Sequence, residues 1–251
     1  MRGLYSGALG MLAGMEKIHT VSHNLANAGT TGFKRLDGTF RSFSEQLLRH
    51  ERRSLDGRLE STPIGRLGVA TQIDATYLQW GAGPLRETGS ELHAAIARDG
   101  FFVVETAGGE AYTRDGRFLI DRDGWLVTLE GRRVLGSEGP LSAAGAQVHL
   151  GTGGELISDG ELIGALRFVE FADPSALEPL GGGLYRPTEG SGAPTQCEEH
   201  LATGFVEESN VNVVTEMVEL IAATRAYEAN QRVIVAYDDT LGKAVNELAR
   251  V

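Results

Sequence analysis

Leu4, Ala8, Met11, Met15, Ile18, Ser22 and Leu25 follow one another at alternating intervals of four and three. The same alternation runs from Val213 through Met217, Leu220, Thr224, Tyr227, Gln231, Ile234, Asp238, Leu241 and Val245 to Leu248. That spacing lines residues along one narrow face of an α-helix, as in the seam of a coiled coil. Two such seams at opposite ends of a chain constrain its fold strongly, because neither has neighbouring sequence able to cover it. The first helix, about 25 residues at roughly 1.5 Å each, would reach about 37 Å. Its cover has to come from the C-terminal helix, from other molecules, or from both. Polar Thr224, Gln231 and Asp238 interrupt the second seam, which weakens a pair but can fix its register. Glu207, Glu208, Glu216 and Glu219 crowd the start of this second helical region and Lys243 and Arg250 its end, as the helix dipole favours.

Between the ends the texture changes. Asp-Gly pairs begin at 37, 56, 99, 115, 123 and 159, a hairpin-turn signal where the flanks are strand-like. From 99 onward they are: "FFVVET", "EAYTR", "RFLID", "WLVTL", "RRVL" and "LRFVEFA" are short runs rich in Val, Ile, Phe and Tyr. The expected fold is therefore α+β. An N-terminal helix occupies 1–31, and an extended linker over 32–84 carries a candidate short helix at "FRSFSEQLL". An antiparallel β-rich domain follows over 85–205, and a C-terminal helix over 206–251 pairs with the first as a coiled coil.

Several function classes are disfavoured. A formal net charge of −11 argues against nucleic acid as a partner, since phosphate binding needs clustered Lys and Arg, and "HERRS" at 50–54 is too short a run to change that. The single cysteine, Cys197, allows no disulfide framework. The N-terminus carries Glu16, Lys17 and His19 within an amphipathic pattern and does not read as a signal peptide. No run approaches the roughly 18 apolar residues of a membrane span, so direct membrane insertion is not expected.

Candidate chemistry is sparse. His19 and His23 stand four apart, the ligand spacing of a zinc-binding helix, but Thr20 replaces the glutamate of that motif and no third ligand is identifiable. Cys197 and His200 in "CEEH" could pair as nucleophile and base, yet Glu198 and Glu199 would hold the thiol protonated. The glycine clusters at 151–154 and 181–183 lack the Lys-Ser/Thr of a phosphate loop and read as turns. No catalytic, metal or cofactor site is expected.

The segment "SHNLANAGTTGFKR", 22–35, reads locally as a helix stop: Asn27 tolerates the helix-end conformation, Gly29 can close the last turn, and Gly32 allows a second turn that folds Phe33 back onto apolar surface. Together with what precedes it, "SGALGMLAGMEKIHTVSHNLANAGTTGFKR" resembles the N-terminal signature of the bacterial flagellar rod and hook family. "SNVNVVTEMVELIAATRAYEANQRVI" is similar to that family's C-terminal helix, and "ARDGFFVV", "AYTRDGRFLIDRDGWLVT" and "RRVLG" to its β-domain core. The chain length and "MRGLYSGALGML" resemble the proximal- and distal-rod members more than the longer hook member. His23 departs from the family's usual Asn, and Gly29 and Thr30 vary the turn.

The resemblance implies a non-enzymatic axial subunit of the basal body that transmits torque for motility. It would be exported unfolded through the flagellar type III apparatus without a cleavable signal, and would assemble with copies of itself and other rod and hook subunits. The assembly interface would take in Leu4, Met11, Met15, Ile18, Asn24, Leu25, Asn27 and Phe33 at one end and Met217, Leu220, Tyr227, Ile234 and Leu241 at the other. Phe43 to Leu47 resembles the export-gate element of early flagellar substrates, with a short helix carrying Phe43 and Leu47 on one face as the alternative. Other readings are a transient cap or scaffold of the same axial system, or an oligomeric β-domain enzyme or carbohydrate-binding module.

Overall fold

The structure, a computed structural model, describes residues 2–53, 59–143, 145, 147–197 and 201–248. Helix α1 (Arg2–Ala26) and helix α2 (Val213–Leu248) bracket a middle made almost wholly of strands. The chain divides into two compact units. The first comprises Met1–Leu25, Leu36–Thr76 and Val213–Val251, the second Ala26–Arg35 and Tyr77–Asn212.

In the first unit α1 and α2 run antiparallel. Gly3 lies against Tyr237, Gly7 against Ile234, Gly10 against Asn230 and Gly14 against Tyr227, so the partner number falls as the α1 number rises. Leu36–Arg53 and Leu59–Leu78 pair as a two-stranded sheet. This corrects the sequence expectation for 32–84, because "FRSFSEQLL" is strand and not a short helix. Its pairing partner carries Thr62, Ile64, Val69, Thr71, Ile73 and Thr76, β-branched residues suited to a pleated ribbon, and a distant partner outweighs a weak local helical pattern. Asp37-Gly38 accordingly sits inside a strand and not in a turn, with the Gly38 N–H donating to Asp37 Oδ1 at 2.8 Å.

The second unit is built on a six-stranded antiparallel sheet. Its order is Glu178–Gly181, Leu184–Arg186, Gly109–Thr113, Phe101–Thr106, Phe168–Glu170, Thr195–Cys197. Alternation along the central strand sorts its side chains to two faces. Phe102 and Val104 join Ala94, Ile96, Phe118, Leu126, Val134, Leu156, Leu166, Phe168, Leu184 and Leu201 in the main hydrophobic core, where Phe102 meets Phe118 edge-on at 4.9 Å. Phe101 turns the other way and forms an aromatic cluster with Trp80, Tyr185 and Phe171. Asp159 and Gly160 both take positive φ between Glu155–Ser158 and Glu161–Ala165, the two-residue hairpin turn that an Asp-Gly pair announces.

Two boundaries differ from expectation. Phe205–Glu207 is a strand paired with Leu85–Glu87, and the C-terminal helix starts at Val213, not at 206. Glu207 and Glu208 therefore do not charge a helix start. The first helix ends at Ala26, not at 31, and Ala26–Arg35 is part of the second unit.

Candidate assembly surface

The enclosed line of α1 is displaced by one residue from the apolar seam read in the sequence. Gly3, Gly7, Gly10 and Gly14 meet α2 side chains. Lys17 continues the line with an ion pair to Glu219 at 2.8 Å, and Val21 and Asn24 complete it, both buried. A side chain added at Gly7 would come within 3.2 Å of Ile234 Cγ1, and one at Gly10 within 2.9 Å of Asn230 Nδ2. Absent side chains on α1 therefore admit large ones from α2, and the backbones approach closely.

The displacement leaves much of the expected seam outside. Met15 is 57 % exposed and Leu12, on the same side, 60 %. Leu4, Met11, Ile18 and Leu25 are half-buried. On α2, Leu220, Tyr227 and Ile234 are half-buried, whereas Met217 and Leu241 are exposed. Met217 belongs to an exposed patch with Val214 (71 %), Val218 (62 %) and Ile221 at the start of the helix, and Leu241 to another with Val245 near its end. Burying a Leu- or Val-sized side chain is worth about 1.5–3 kcal/mol relative to leaving it in water, so these patches are unfavourable in an isolated molecule.

The asparagine-rich segment contains two different devices. Asn24, 1 % exposed, grips the start of the strand Leu36–Arg53 with both ends of its amide: Nδ2 donates to Leu36 O at 2.8 Å and Oδ1 accepts from Leu36 N–H at 2.9 Å. The same Nδ2 lies 3.2 Å from Glu216 Oε2, in the first turn of α2. Asn27 instead serves the turn, its carbonyl accepting from Thr30 N–H at 3.0 Å and its Oδ1 from the Thr30 hydroxyl at 3.4 Å. Phe33 is half-buried, its N–H bonded to Thr30 O at 3.3 Å.

Sequence reasoning did not find the pairing of two buried charges, Lys34 and Glu207. Lys34 is 1 % exposed and Glu207 2 %, and Lys34 Nζ donates to Glu207 Oε1 at 2.6 Å and to Gly81 O at 3.0 Å. Gly83 N–H donates to the same Oε1 at 2.9 Å, and the Arg114 guanidinium stands 3.6 Å from Glu207 Oε2 while lying over the Phe101 ring. Burial pulls the Lys34 ammonium below the usual lysine range, with the Glu207 charge opposing that pull. Burial likewise pushes the Tyr185 phenol up to about 12, partly offset by its hydrogen bond with the Lys34 backbone. Asn210 repeats the two-ended grip of Asn24. Its Oδ1 accepts from Arg35 N–H at 2.7 Å, and its Nδ2 donates to Gln79 O at 2.7 Å. The signal that could have found these residues is a lone Lys between apolar and turn residues in "TGFKR", with nothing local to pair it.

The remaining candidates do not converge. His19 and His23 are exposed on α1, and no group of three metal-ligating side chains occurs among the described residues. Cys197 lies in a strand and is half-buried, while Glu198, Glu199 and His200 fall outside the described residues. The backbone of Phe43 and Leu47 is strand, and their side chains lie outside those described. No helix among the described residues is long and apolar enough to cross a membrane.

Two family models match this architecture. Residues 202–247 fit the one described as "Flagellar basal body rod FlgEFG protein C-terminal", and residues 95–157 the one described as "Flagellar hook protein FlgE/F/G D1 domain". The chain is 31 % identical over 266 residues to the flagellar basal-body rod protein FlgG of Bacillus subtilis. It is 34 % identical over 272 residues to FlgG of Borreliella burgdorferi, with 98 % of each chain covered in both cases. It is 32 % identical over 252 residues to the rod protein FlgF of Caulobacter vibrioides, covering 99 % of this chain and 98 % of the relative.

Proposed function

The chain belongs to the flagellar basal-body rod and hook family, and we propose on that premise that it polymerises into the axial rod through the outward faces of α1 and α2. It is a structural subunit of the rod and not an enzyme. The observation carrying the proposal is the pair of outward apolar stripes, Leu12 with Met15 and Val214 with Val218, left over once the glycine line has seated α2. Contacts between such unlike faces, repeated without closing into a ring, generate the open helical assembly that a rod requires.

Its partners on this reading are copies of itself and other rod and hook subunits, and its place is the flagellar basal body, where it transmits torque. The helix pair would extend into coiled-coil packing with neighbouring subunits. Delivery would run through the flagellar type III export apparatus, with Phe43 and Leu47 as the candidate recognition element. The names of the relatives favour a permanent rod subunit over a transient cap.

Charges placed on the stripes test the proposal. Leu12→Glu and Val218→Glu should leave the helical circular-dichroism signal and melting temperature of the purified protein close to wild type, since both positions face water. Both should prevent its recovery in isolated basal bodies and abolish swimming. Normal incorporation of both variants would refute the assignment of these faces to assembly.

A further inference from the structure

We propose that Lys34 and Glu207, with Arg114, form an ionic clasp that closes the second unit after its hydrophobic core is already built. The main core draws its residues from Ala94 to Leu201 and takes none from 26–35 or 205–212. The two segments that complete the unit, one from each end of its sequence, meet on the opposite side of the central sheet, beside Trp80, Phe101 and Tyr185.

Segment 205–207 pairs with Leu85–Glu87 and buries Val206, but what ties the two segments to each other is polar. Gly32 N–H donates to Glu207 O at 2.8 Å and Gln79 N–H to Arg35 O at 2.8 Å. Asn210 binds Arg35, Gln79 and Gly81. Lys34 and Glu207 sit at the centre of this lattice, 173 positions apart in sequence and both sealed from water.

A buried ion pair of this kind adds little net stability, because taking both charges out of water offsets most of their attraction. Its asymmetry is what makes a clasp. With both partners present the charges are matched. Without Glu207, Lys34 loses its buried carboxylate partner; without Lys34, Glu207 keeps only the longer 3.6 Å contact to Arg114, and in either case the segment carrying the poorly matched charge is driven out to solvent. Docking of 27–35 therefore depends on Glu207, and docking of 205–210 on Lys34, while the core depends on neither. The β-rich unit can be assembled and yet hold both of its terminal segments open until they arrive together. This inference stands whatever the chain assembles with.

Hydrogen–deuterium exchange on the full-length protein tests it. Glu207→Gln keeps the shape and the acceptor for Gly83 but removes the charge. Peptides covering 27–35 and 205–212 should then exchange about tenfold or more faster, while those covering 101–113 keep wild-type protection. Lys34→Met added to Glu207→Gln removes the stranded ammonium and should bring both segments back towards wild-type rates. Unchanged exchange in Glu207→Gln, loss of protection in 101–113 in step with the segments, or failure of the double variant to restore them would each overturn the clasp.

Discussion

Gly7 faces Ile234 across the helix pair, close enough that a methyl group on Gly7 would reach within 3.2 Å of Ile234 Cγ1. Two turns of the helix further on, a methyl on Gly14 would sit 3.6 Å from Tyr227 Cβ, ordinary van der Waals contact. Glycine inside a helix costs about 0.5–1 kcal/mol relative to alanine. Gly14→Ala should therefore raise the helical signal and the thermal midpoint slightly. Gly7→Leu should lower both by forcing α1 and α2 apart. Equal, neutral behaviour of the two variants would show that the glycine line does not set the helix spacing.

Phe102 is fully buried and packs edge-on against Phe118 and at a tilt against Phe168. Phe102→Ala should cost about 3–5 kcal/mol, the usual range for emptying a buried aromatic site. Urea denaturation of the second unit, followed through its tryptophans, should show the midpoint falling with the slope unchanged.

Gly32 has φ +68 and its Cα faces the Arg114 carbonyl carbon, which an added methyl would approach to 2.7 Å. Gly32→Ala combines a left-handed backbone cost of about 1–2 kcal/mol with a clash against main chain that has no freedom to rotate away. A loss of more than about 2 kcal/mol in denaturant unfolding is expected. Gly29, with no neighbour within 4 Å of the added methyl, is the matched control and should tolerate the same change.

The Tyr185 phenol ionises at about 12 in the folded protein, chiefly through burial, against about 10 in an unfolded chain. The folded state holds that proton longer, so its contribution is fully present below pH 10 and disappears as pH climbs towards 12. The difference corresponds to roughly 2–3 kcal/mol. Lys34 acts in the opposite sense, since a folded-state value below 10.5 makes stability rise with pH up to that point. Denaturation at pH 9 and at pH 11.5 should show the wild type losing stability over this interval and Tyr185→Phe losing markedly less.

The sequence was most readable where side chains repeat. Spacing alone located both helices, and alternating Val, Ile, Phe and Tyr between Asp-Gly pairs located most strands of the second unit. The helix seam was misplaced by one residue because hydrophobic periodicity weights large side chains, while the contact line of α1 is written in glycines, which carry no hydrophobic signal. The strand Leu36–Arg53 was missed because its stabilising partner, Leu59–Leu78, lies outside the local window and local pattern favours neither state. Lys34 and Glu207 were missed for a different reason. The setting of Lys34 in "TGFKR" is the one local hint of burial, and the pairing itself exists only once the fold has brought together residues 173 positions apart.

The antiparallel seating of α1 on α2 also orders events in time. Asn24 and Glu216 are 192 positions apart, and the glycine contacts span still more of the chain. Contacts of such high order close slowly, because the entropy of a long loop must be lost before any of them forms. A chain that emerges from its N-terminus first therefore carries α1 alone, with its glycine line open, for as long as the β-rich middle takes to follow. A single helix of 25 residues with four glycines facing nothing is a poor structure in water. The first element in sequence is thus among the last to settle, and the time at which α2 arrives sets the time at which the molecule acquires its paired end.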